Sequence, residues 1–290
     1  MIVLYLATEK GCNVLKCLVS TDNLYLINCI VVGTDNNVCQ DFSEEIINIC
    51  KKYNIKYFVN NLPNEIKSEY SLAISWRRLI NQEKSKLIVL HDSLLPKYRG
   101  FAPLVNQLIN GDEIIGVTAL FANEDYDRGD IIFQSSVSIV YPIKINDAIK
   151  LISKCYEDIV LNIFEFLIDN KSFITFKQEE DKATYSLWRD DNDYRINWNK
   201  SSTEIKRFID AVGFPYRGAN SFLNGQLVTI SDAEVVKDVN IINRDIGKII
   251  FIKDNFPIVV CGKGLLLIKN IKDDSGKNLL PLNKFRLRFN

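Results

Sequence analysis

One histidine stands among the 290 residues of the chain, His91, in the segment HDSLLPKYRG (91–100). A reaction that needs an imidazole must therefore use this side chain, and a metal site with two histidine ligands is excluded. The preceding residues, KLIVLH (86–91), predict a short buried strand. Open α/β sheets place reacting groups at the carboxyl ends of such strands. His91 is thus either a catalytic proton carrier or a lone structural histidine.

A second candidate lies downstream, in VTALFANEDYDRGDIIFQ (117–134), which predicts two strands joined by an acidic loop. Asp and Gly are ordinary turn residues, but a carboxylate beside His91 would also orient its ring for proton transfer. Asp127 follows His91 by 36 positions (127 − 91), which leaves room for a helix and a returning strand. We therefore expect Asp127 to lie beside His91.

Together, HDSLLPKYRG and YDRGDI (126–131) resemble the signature of the N10-formyltetrahydrofolate-dependent formyltransferases. This family includes methionyl-tRNA formyltransferase, glycinamide ribonucleotide transformylase and the nucleotide-sugar N-formyltransferases, and its pattern is approximately N-x-H-x-S-L-L-P-x-x-R-G followed by D-x-G-D. The matching residues are His91, Ser93, Leu94, Leu95, Pro96, Arg99, Gly100, Asp127, Gly129 and Asp130. The resemblance implies catalytic roles for His91 and Asp127, N10-formyltetrahydrofolate as co-substrate and no metal.

One position departs from the family pattern, because Val89 stands where the family has an asparagine two residues before the histidine. In the family, that amide helps to hold the formyl oxygen as it gains negative charge, and valine has no hydrogen-bond donor. The loss of one such donor typically costs about 10²–10³ in turnover. Either Asn106, Asn123 or another donor replaces it, or the enzyme is slow or inactive.

The resemblance also implies a folate pocket. Its apolar wall is expected from Trp76, Leu79 and Ile80 of the segment AISWRRLI (73–80), and Asp125 and Tyr126 are expected to face the pterin from the other side. Trp76 is equally explained as a core residue at the end of a strand, and the two interpretations are compatible.

Contacts to an acceptor substrate are expected from Lys10, Lys97, Tyr98 and Arg99, which could bind the phosphates and base of a nucleotide. Lys10 lies in the turn ATEKGCN (7–13), which a solvated loop explains as well. That turn lacks the G-x-G-x-x-G and G-x-x-x-x-G-K patterns, so a dinucleotide-binding or P-loop assignment fails.

The charge balance bears on the acceptor. Lys+Arg and Asp+Glu both total 36, so the net charge is zero, which disfavours a nucleic-acid partner. We therefore favour a nucleotide-linked amino sugar, giving a formamido sugar of the kind used in lipopolysaccharide O-antigen biosynthesis, over methionyl-tRNA. A catalytically impaired folate- or sugar-binding homologue and a deformylase that transfers to water are the remaining alternatives.

Bulk properties indicate a cytoplasmic enzyme. Seven cysteines without a C-x-x-C pair indicate reduced core residues. We expect no signal peptide, because MIVLYLATEK (1–10) begins as a strand. No apolar run reaches the ~18 residues that a membrane span needs. A homodimer is left open.

Alternating strand and helix patterns in the first half predict an α/β fold with a doubly wound, mostly parallel sheet. The strongest helix pattern covers residues 145–168. Five short strands separated by turns, at 220–223, 226–230, 246–252, 257–260 and 264–271, predict a smaller C-terminal all-β, barrel-like domain. The segment INWNKSSTEIKRFIDAVGFPYRGANSFLNGQLVTISDAEV (196–235) resembles, more loosely, the C-terminal domain of methionyl-tRNA formyltransferase and of some nucleotide-sugar formyltransferases. We expect a catalytic domain at 1–183, a linker at 184–201 and the second domain at 202–290.

Overall fold

The computed structural model describes residues 1–35, 38–80 and 85–290. The strands of this described part are β1 Ile2–Leu6, β2 Ile27–Val32, β3 Tyr57–Val59, β4 Tyr70–Ile74, β5 Lys86–His91, β6 Arg99–Gly100, β7 Ile114–Phe121, β8 Ile131–Ser138, β9 Tyr185–Ser186, β10 Ala219–Leu223, β11 Gln226–Val236, β12 Ile249–Lys253, β13 Phe256–Val260 and β14 Leu265–Asp273. Its α-helices are α1 Thr8–Leu18, α2 Ser43–Lys52, α3 Pro103–Asn110, α4 Ile145–Ile168 and α5 Ser202–Ala211.

The chain divides into two compact units. The first comprises Met1–Leu104, Glu113–Ile139 and Asp147–Leu187, and the second comprises Val105–Asp112, Val140–Asn146 and Trp188–Asn290. This division differs from the expected domains, because the residues just after 183 pair with β6 and so belong to the first unit. Two short internal segments also group with the second unit. The expected linker at 184–201 is therefore not a separate segment.

The first unit contains a seven-stranded sheet in the order β3-β2-β1-β4-β5-β7-β8. The strands β1 to β5 are parallel, whereas β7 runs antiparallel to β5 and β8 antiparallel to β7. A parallel strand that is covered on both faces has a continuous apolar sequence. The strand β1 is of this kind, because all five of its residues are buried. The connection after β1 leads to β2 on one side, and the connection after β4 leads to β5 on the other side. At such a switch point, here between β1 and β4, open α/β sheets form a binding crevice. The predicted mostly parallel sheet is confirmed.

One face of this sheet carries an apolar cluster that extends to the catalytic strand. Side chains alternate between the faces of a strand, so Leu87, Val89 and His91 of β5 share a face. Leu87 belongs to a buried cluster with residues of β1, β2 and β4, and Val89 packs against that cluster. His91 therefore stands at the end of an apolar row.

The predicted helix at 145–168 is confirmed, because α4 has the same bounds. Its buried residues recur at helical spacing and include Ile152, Tyr156, Ile159 and Ile163. A helix that presents one continuous apolar stripe is stabilised chiefly by packing. No helix among the described residues is long and apolar enough to span a membrane.

The second unit contains an antiparallel sheet in the order β10-β11-β14-β13-β12. The end of the chain pairs with both edges of this sheet. Asn290 exchanges backbone hydrogen bonds of 3.0 and 2.9 Å with Phe222 of β10, while the Phe289 N–H donates to Gly247, just before β12, at 2.8 Å. These bonds satisfy backbone groups that an open edge would leave exposed, and they make the sheet barrel-like, as predicted.

Candidate active site

His91 is the last residue of β5, so its ring lies at the carboxyl end of a buried parallel strand. The residue is 8% exposed. Its Nε2 lies 2.8 Å from the backbone carbonyl oxygen of Tyr98, and its Nδ1 lies 3.4 Å from Oδ1 of Asp127. Because a carbonyl oxygen only accepts, Nε2 carries a hydrogen and donates it to Tyr98. Nδ1 is then the ring nitrogen that faces a carboxylate.

Asp127 reaches His91 by an indirect route. Between them lie α3 and the returning strand β7, as the spacing of the two residues indicates. Because β7 is antiparallel to β5, its last residue, Phe121, pairs with Ile88 near the beginning of β5. The loop 122–130 must then fold back along the strand to reach the histidine. There, Oδ2 of Asp127 accepts the Gly100 N–H at 2.8 Å.

Both partners of the imidazole have a left-handed backbone, with φ of 58° at Tyr98 and 57° at Asp127. Thr8 and Ser75, just beyond β1 and β4, are also left-handed, with φ of 60° and 53°. Such a conformation costs a non-glycine residue on the order of 1 kcal/mol and concentrates at functional sites. Four of the left-handed residues of the chain therefore lie at or beside the carboxyl edge of the sheet.

The two glycines of the motif are required by close backbone contacts. A Cβ at Gly129 would lie 1.6 Å from the carbonyl oxygen of Phe121. Gly100 has φ of +100°, and a Cβ there would lie 2.5 Å from the carbonyl oxygen of Ser186. Any side chain at either position would displace the backbone that carries Asp127 or its Gly100 donor.

A buried ion pair follows His91 directly. The Asp92 carboxylate accepts hydrogen bonds from the Lys10 ammonium and from the Tyr156 hydroxyl. Burial by itself raises the pKa of Asp92, but the charge and hydrogen bond of Lys10, followed by the Tyr156 hydrogen bond, outweigh it, so the pKa lies below its ordinary value. These contacts tie the end of β5 to α1 and α4.

The residues expected around folate have different surroundings. Trp76 packs edge-on against Tyr5, with 5.1 Å between ring centroids, and both Trp76 and Ile80 contact the apolar cluster beside Val89. Leu79 is 88% exposed and Tyr126 72% exposed. Asp125 is exposed and pairs with Arg128 at 3.4 Å. Their assignment to a folate pocket remains a prediction.

The residues expected to contact the acceptor divide into two groups. Lys97 is exposed and Tyr98 is half-buried, with its carbonyl oxygen bonded to His91. The Lys10 ammonium is bonded to Asp92. The Arg99 guanidinium is fully buried and bonds Gln178 and Glu180 within the chain. Lys10 and Arg99 are therefore left out of the substrate contacts proposed below, because their charged groups already have internal partners.

Neither asparagine named as a replacement for the missing amide is bonded to His91 in the structure. Asn123 Oδ1 accepts the N–H of Asp125 at 3.1 Å. Asn106 Oδ1 accepts from Arg189 at 2.7 Å, and both of these residues belong to the second unit. Val89 itself lies between Ala73 and Leu120 in the sheet, among apolar side chains.

Sequence reasoning missed Gln178 and Glu180, which bond the Asp127 loop and Arg99. They lie in KQEEDK (177–182), a polar segment without periodicity, so no local pattern identifies them. Asp92 was also missed, although a carboxylate directly after a buried strand is a usable signal.

The chain was compared with known families and proteins. A family model described as "Formyl transferase" matches residues 59–153, and one described as "Formyl transferase, C-terminal domain" matches residues 189–286. A methionyl-tRNA formyltransferase of Thermodesulfovibrio yellowstonii is 31% identical over 234 residues, which cover 78% of this chain and 73% of the relative.

Solved structures resemble the fold as well. The sugar 3-N-formyltransferase WlaRD, determined with dTDP and 5-N-formyl-THF, has a TM-score of 0.69 at 22% identity and covers 98% of each chain. A methionyl-tRNA formyltransferase from Clostridium thermocellum has a TM-score of 0.56 at 21% identity, covering 81% of this chain and 93% of its own.

Proposed function

The chain belongs to the formyltransferase family, and we propose that it transfers a formyl group from N10-formyltetrahydrofolate to the amine of a nucleotide-linked amino sugar. The observation that carries this proposal is the pairing of His91 with Asp127 at the carboxyl end of β5. A ring nitrogen that faces a carboxylate is placed to accept a proton from an attacking amine and to pass it on.

The reaction forms one bond and breaks another. The amine nitrogen bonds to the formyl carbon, the bond from that carbon to N10 breaks, and one proton moves from the attacking nitrogen to N10. In our proposal, His91 and Asp127 together accept and return this proton. Asp127 also balances the charge of the ring, and the Tyr98 carbonyl holds the other ring nitrogen in place. The products are a formamide and tetrahydrofolate.

The folate contacts are proposed for Trp76, Leu79, Ile80, Asp125 and Tyr126. The Trp76 indole N–H supports this assignment, because it is buried without a hydrogen-bond partner among the described residues. A buried donor without a partner costs on the order of 1–3 kcal/mol, and an acceptor atom of a pterin would satisfy it. The exposed faces of Leu79 and Tyr126 offer apolar area to a flat ring.

The acceptor is proposed from charge and from contacts. A net charge of zero suits a nucleotide sugar, which needs only a few phosphate and base contacts. Lys97 is exposed next to Tyr98, so its ammonium is available for a phosphate. The likeness to a sugar formyltransferase over 98% of both chains supports the same acceptor class.

Methionyl-tRNA is the second candidate acceptor. The observation in its favour is the 31% identity with a methionyl-tRNA formyltransferase over 78% of the chain. A third possibility, an impaired binding protein, rests on Val89. It predicts folate binding without turnover.

The test of the proton-transfer roles uses His91→Asn and Asp127→Asn, with Glu124→Gln as control because Glu124 is an exposed acid of the same loop. We expect formyl transfer to fall by at least ~10² for His91→Asn and substantially for Asp127→Asn, whose rate should also depend differently on pH. Glu124→Gln should retain the wild-type rate. Thermal melting checks that each variant folds. Near wild-type transfer by His91→Asn would rule out its role as proton carrier.

A further inference from the structure

The loop that carries Asp127 needs an anchor. Asn123, Glu124, Asp125 and Tyr126 are all exposed, and only the end of the loop is buried, at Gly129. An exposed loop of this kind has few packing contacts to hold a side chain at one place. Yet a misplacement of about 1 Å at a reacting group costs on the order of 10² in rate.

One amide anchors the backbone of the loop, in addition to the Gly100 N–H that binds the Asp127 carboxylate and the Arg128–Glu180 ion pair. The Gln178 side-chain nitrogen donates to the backbone carbonyl oxygens of Asp127 and Gly129, at 2.8 Å each. These two carbonyls bracket Arg128, so Gln178 grips the backbone on both sides of the turn that projects the catalytic carboxylate. Both hydrogens of the amide are used by these two bonds.

Arg99 determines which way this amide points. Its Nε and Nη2 donate to the Gln178 side-chain oxygen at 3.0 and 2.7 Å. A guanidinium has no acceptor, so the oxygen of Gln178 must face Arg99 and the NH₂ group must face the Asp127 loop. Arg99 is itself 1% exposed and bonds both carboxylate oxygens of Glu180, at 2.9 and 2.8 Å. The pKa of Glu180 is lowered to about 2 by hydrogen bonds from Arg99 and Arg128.

The segment that carries Gln178, residues 176–186, is fixed at both ends; we call it the Gln178 strap. At its beginning, Phe176 exchanges backbone hydrogen bonds of 2.9 and 2.8 Å with Ile131. At its end, Thr184 accepts the Arg99 N–H at 2.8 Å, and Ser186 accepts the Phe101 N–H at 3.0 Å. The strap therefore also holds the turn that presents the Tyr98 carbonyl to His91.

We propose that Gln178 is a positioning residue of the formyltransferase site, which orients Asp127 towards His91 through the backbone of its loop. This inference rests on the proposed roles of His91 and Asp127. Gln178 touches neither the imidazole nor, in our proposal, the substrate. Its contribution is geometric, and it should therefore affect turnover more than substrate binding.

The first test compares Gln178→Ala with Glu179→Ala. Glu179 is the exposed neighbour of Gln178 on the strap. Within the described part of the chain, its side chain forms an ion pair with the exposed Lys182. We expect Gln178→Ala to lower kcat by about tenfold or more and to change KM by less than about threefold. Glu179→Ala should retain both wild-type values. An unchanged kcat in Gln178→Ala would overturn the inference.

The second test does not depend on turnover. Because His91 is the only histidine, ¹⁵N-labelling of histidine gives one pair of ring resonances, and both belong to His91. At fixed pH, Gln178→Ala should shift the Nδ1 signal, which reports on Asp127, whereas Glu179→Ala should leave it in place. An unchanged Nδ1 signal in Gln178→Ala overturns the inference even if no acceptor is known, while a wild-type protein without activity would contradict only the proposed function.

A further variant covers the case in which Gln178→Ala does not fold. Gln178→Glu keeps an acceptor for Arg99 but removes both donations to the Asp127 loop. We expect the same loss of kcat and the same change of the Nδ1 signal, with a melting temperature closer to that of the wild type. Wild-type kinetics and ring signals in Gln178→Glu would also overturn the inference.

Discussion

Two carboxylates flank the single imidazole, and their surroundings give them different tasks. Asp127 faces the ring and lies in an exposed loop. Asp92 is bonded to Lys10 and Tyr156, so its charge is already compensated inside the fold. Asp92 therefore contributes to stability, whereas Asp127 is the carboxylate that assists His91 in the proposed reaction.

Asp92 should make stability depend on pH in the acid range. Its pKa is below the ordinary value of 3.8, so its stabilising contribution is fully present above that value and is lost as pH falls through the lowered pKa. Asp92→Asn leaves a buried ammonium without its counter-charge, and we expect it to cost about 3–5 kcal/mol at pH 7. The free energy of unfolding in urea, measured from pH 7 to pH 3, checks this.

The control for this prediction is the double variant Lys10→Met/Asp92→Asn, which removes both charges. It should recover part of the loss, because replacing a whole buried pair is far less harmful than breaking it. The difference between wild type and Asp92→Asn should also shrink below pH ~4. A difference that stays constant across this range would show that the carboxylate charge is not what stabilises the fold.

Val89 places an apolar side chain where the family has the amide of an asparagine. Val89→Asn would bury an amide against the apolar cluster of β5. We expect turnover that does not rise and a loss of about 1–3 kcal/mol in unfolding free energy. Val89→Leu, which has a similar shape without the amide, is the control. A gain of tenfold or more in kcat for Val89→Asn would instead favour an impaired enzyme.

At the scale of single residues, the sequence predicted the His91–Asp127 contact but not the contacts around it. His91 and Asp127 lie in short motifs with a fixed spacing, which a single sequence displays. Gln178 meets Asp127 across 51 positions and lies in a segment without periodicity. Lys10 was interpreted as a phosphate contact because its charge is visible in the sequence, whereas its pairing with Asp92 appears only once β1 and β5 lie in one sheet.

At the scale of elements, regular patterns predicted most of the fold. The helix α4 was predicted with its observed bounds, since apolar residues recur at helical spacing over all 24 residues. The strand β11 extends to Val236, six residues beyond the expected end at 230 (236 − 230). Register shifts around Asp232 interrupt its alternation, and a bulge of this kind hides a strand from pattern analysis.

The segment 287–290 was not predicted to pair with the sheet of the second unit, although its backbone hydrogen bonds join both edges of that sheet. Phe289 is 1% exposed and packs on Trp198 at 5.3 Å between ring centroids. Phe289→Ala should destabilise the protein by roughly 3–5 kcal/mol, because it leaves a cavity beneath the two joined edges. Phe285→Ala is the control, since Phe285 is 50% exposed. Equal urea midpoints for the two variants would mean that the chain end does not stabilise this unit.

At the scale of the whole molecule, two compact units share one chain. The sheet edge that carries His91, Asp127 and the Gln178 strap belongs entirely to the first unit. The sequence did not predict that residues 105–112 and 140–146 group with the second unit, because such a grouping depends on contacts between distant segments. We propose that the first unit performs the transfer, because it contains His91, Asp127 and the exposed Lys97.

The proposed sugar acceptor rests on the charge of the whole chain. Binding to RNA releases counterions, so a tRNA-dependent reaction weakens steeply between about 50 and 200 mM salt, and a chain with equal numbers of acids and bases has no excess cationic charge to drive such binding. We expect the purified protein, supplied with N10-formyltetrahydrofolate, to formylate a deoxythymidine- or uridine-linked 3-amino or 4-amino sugar with little dependence on salt. Initiator methionyl-tRNA is assayed in parallel, with the Thermodesulfovibrio yellowstonii relative as positive control. Robust formylation of the tRNA without activity on any sugar would reject the sugar acceptor, while His91→Asn measured in the same assay would still show whether the imidazole carries the proton.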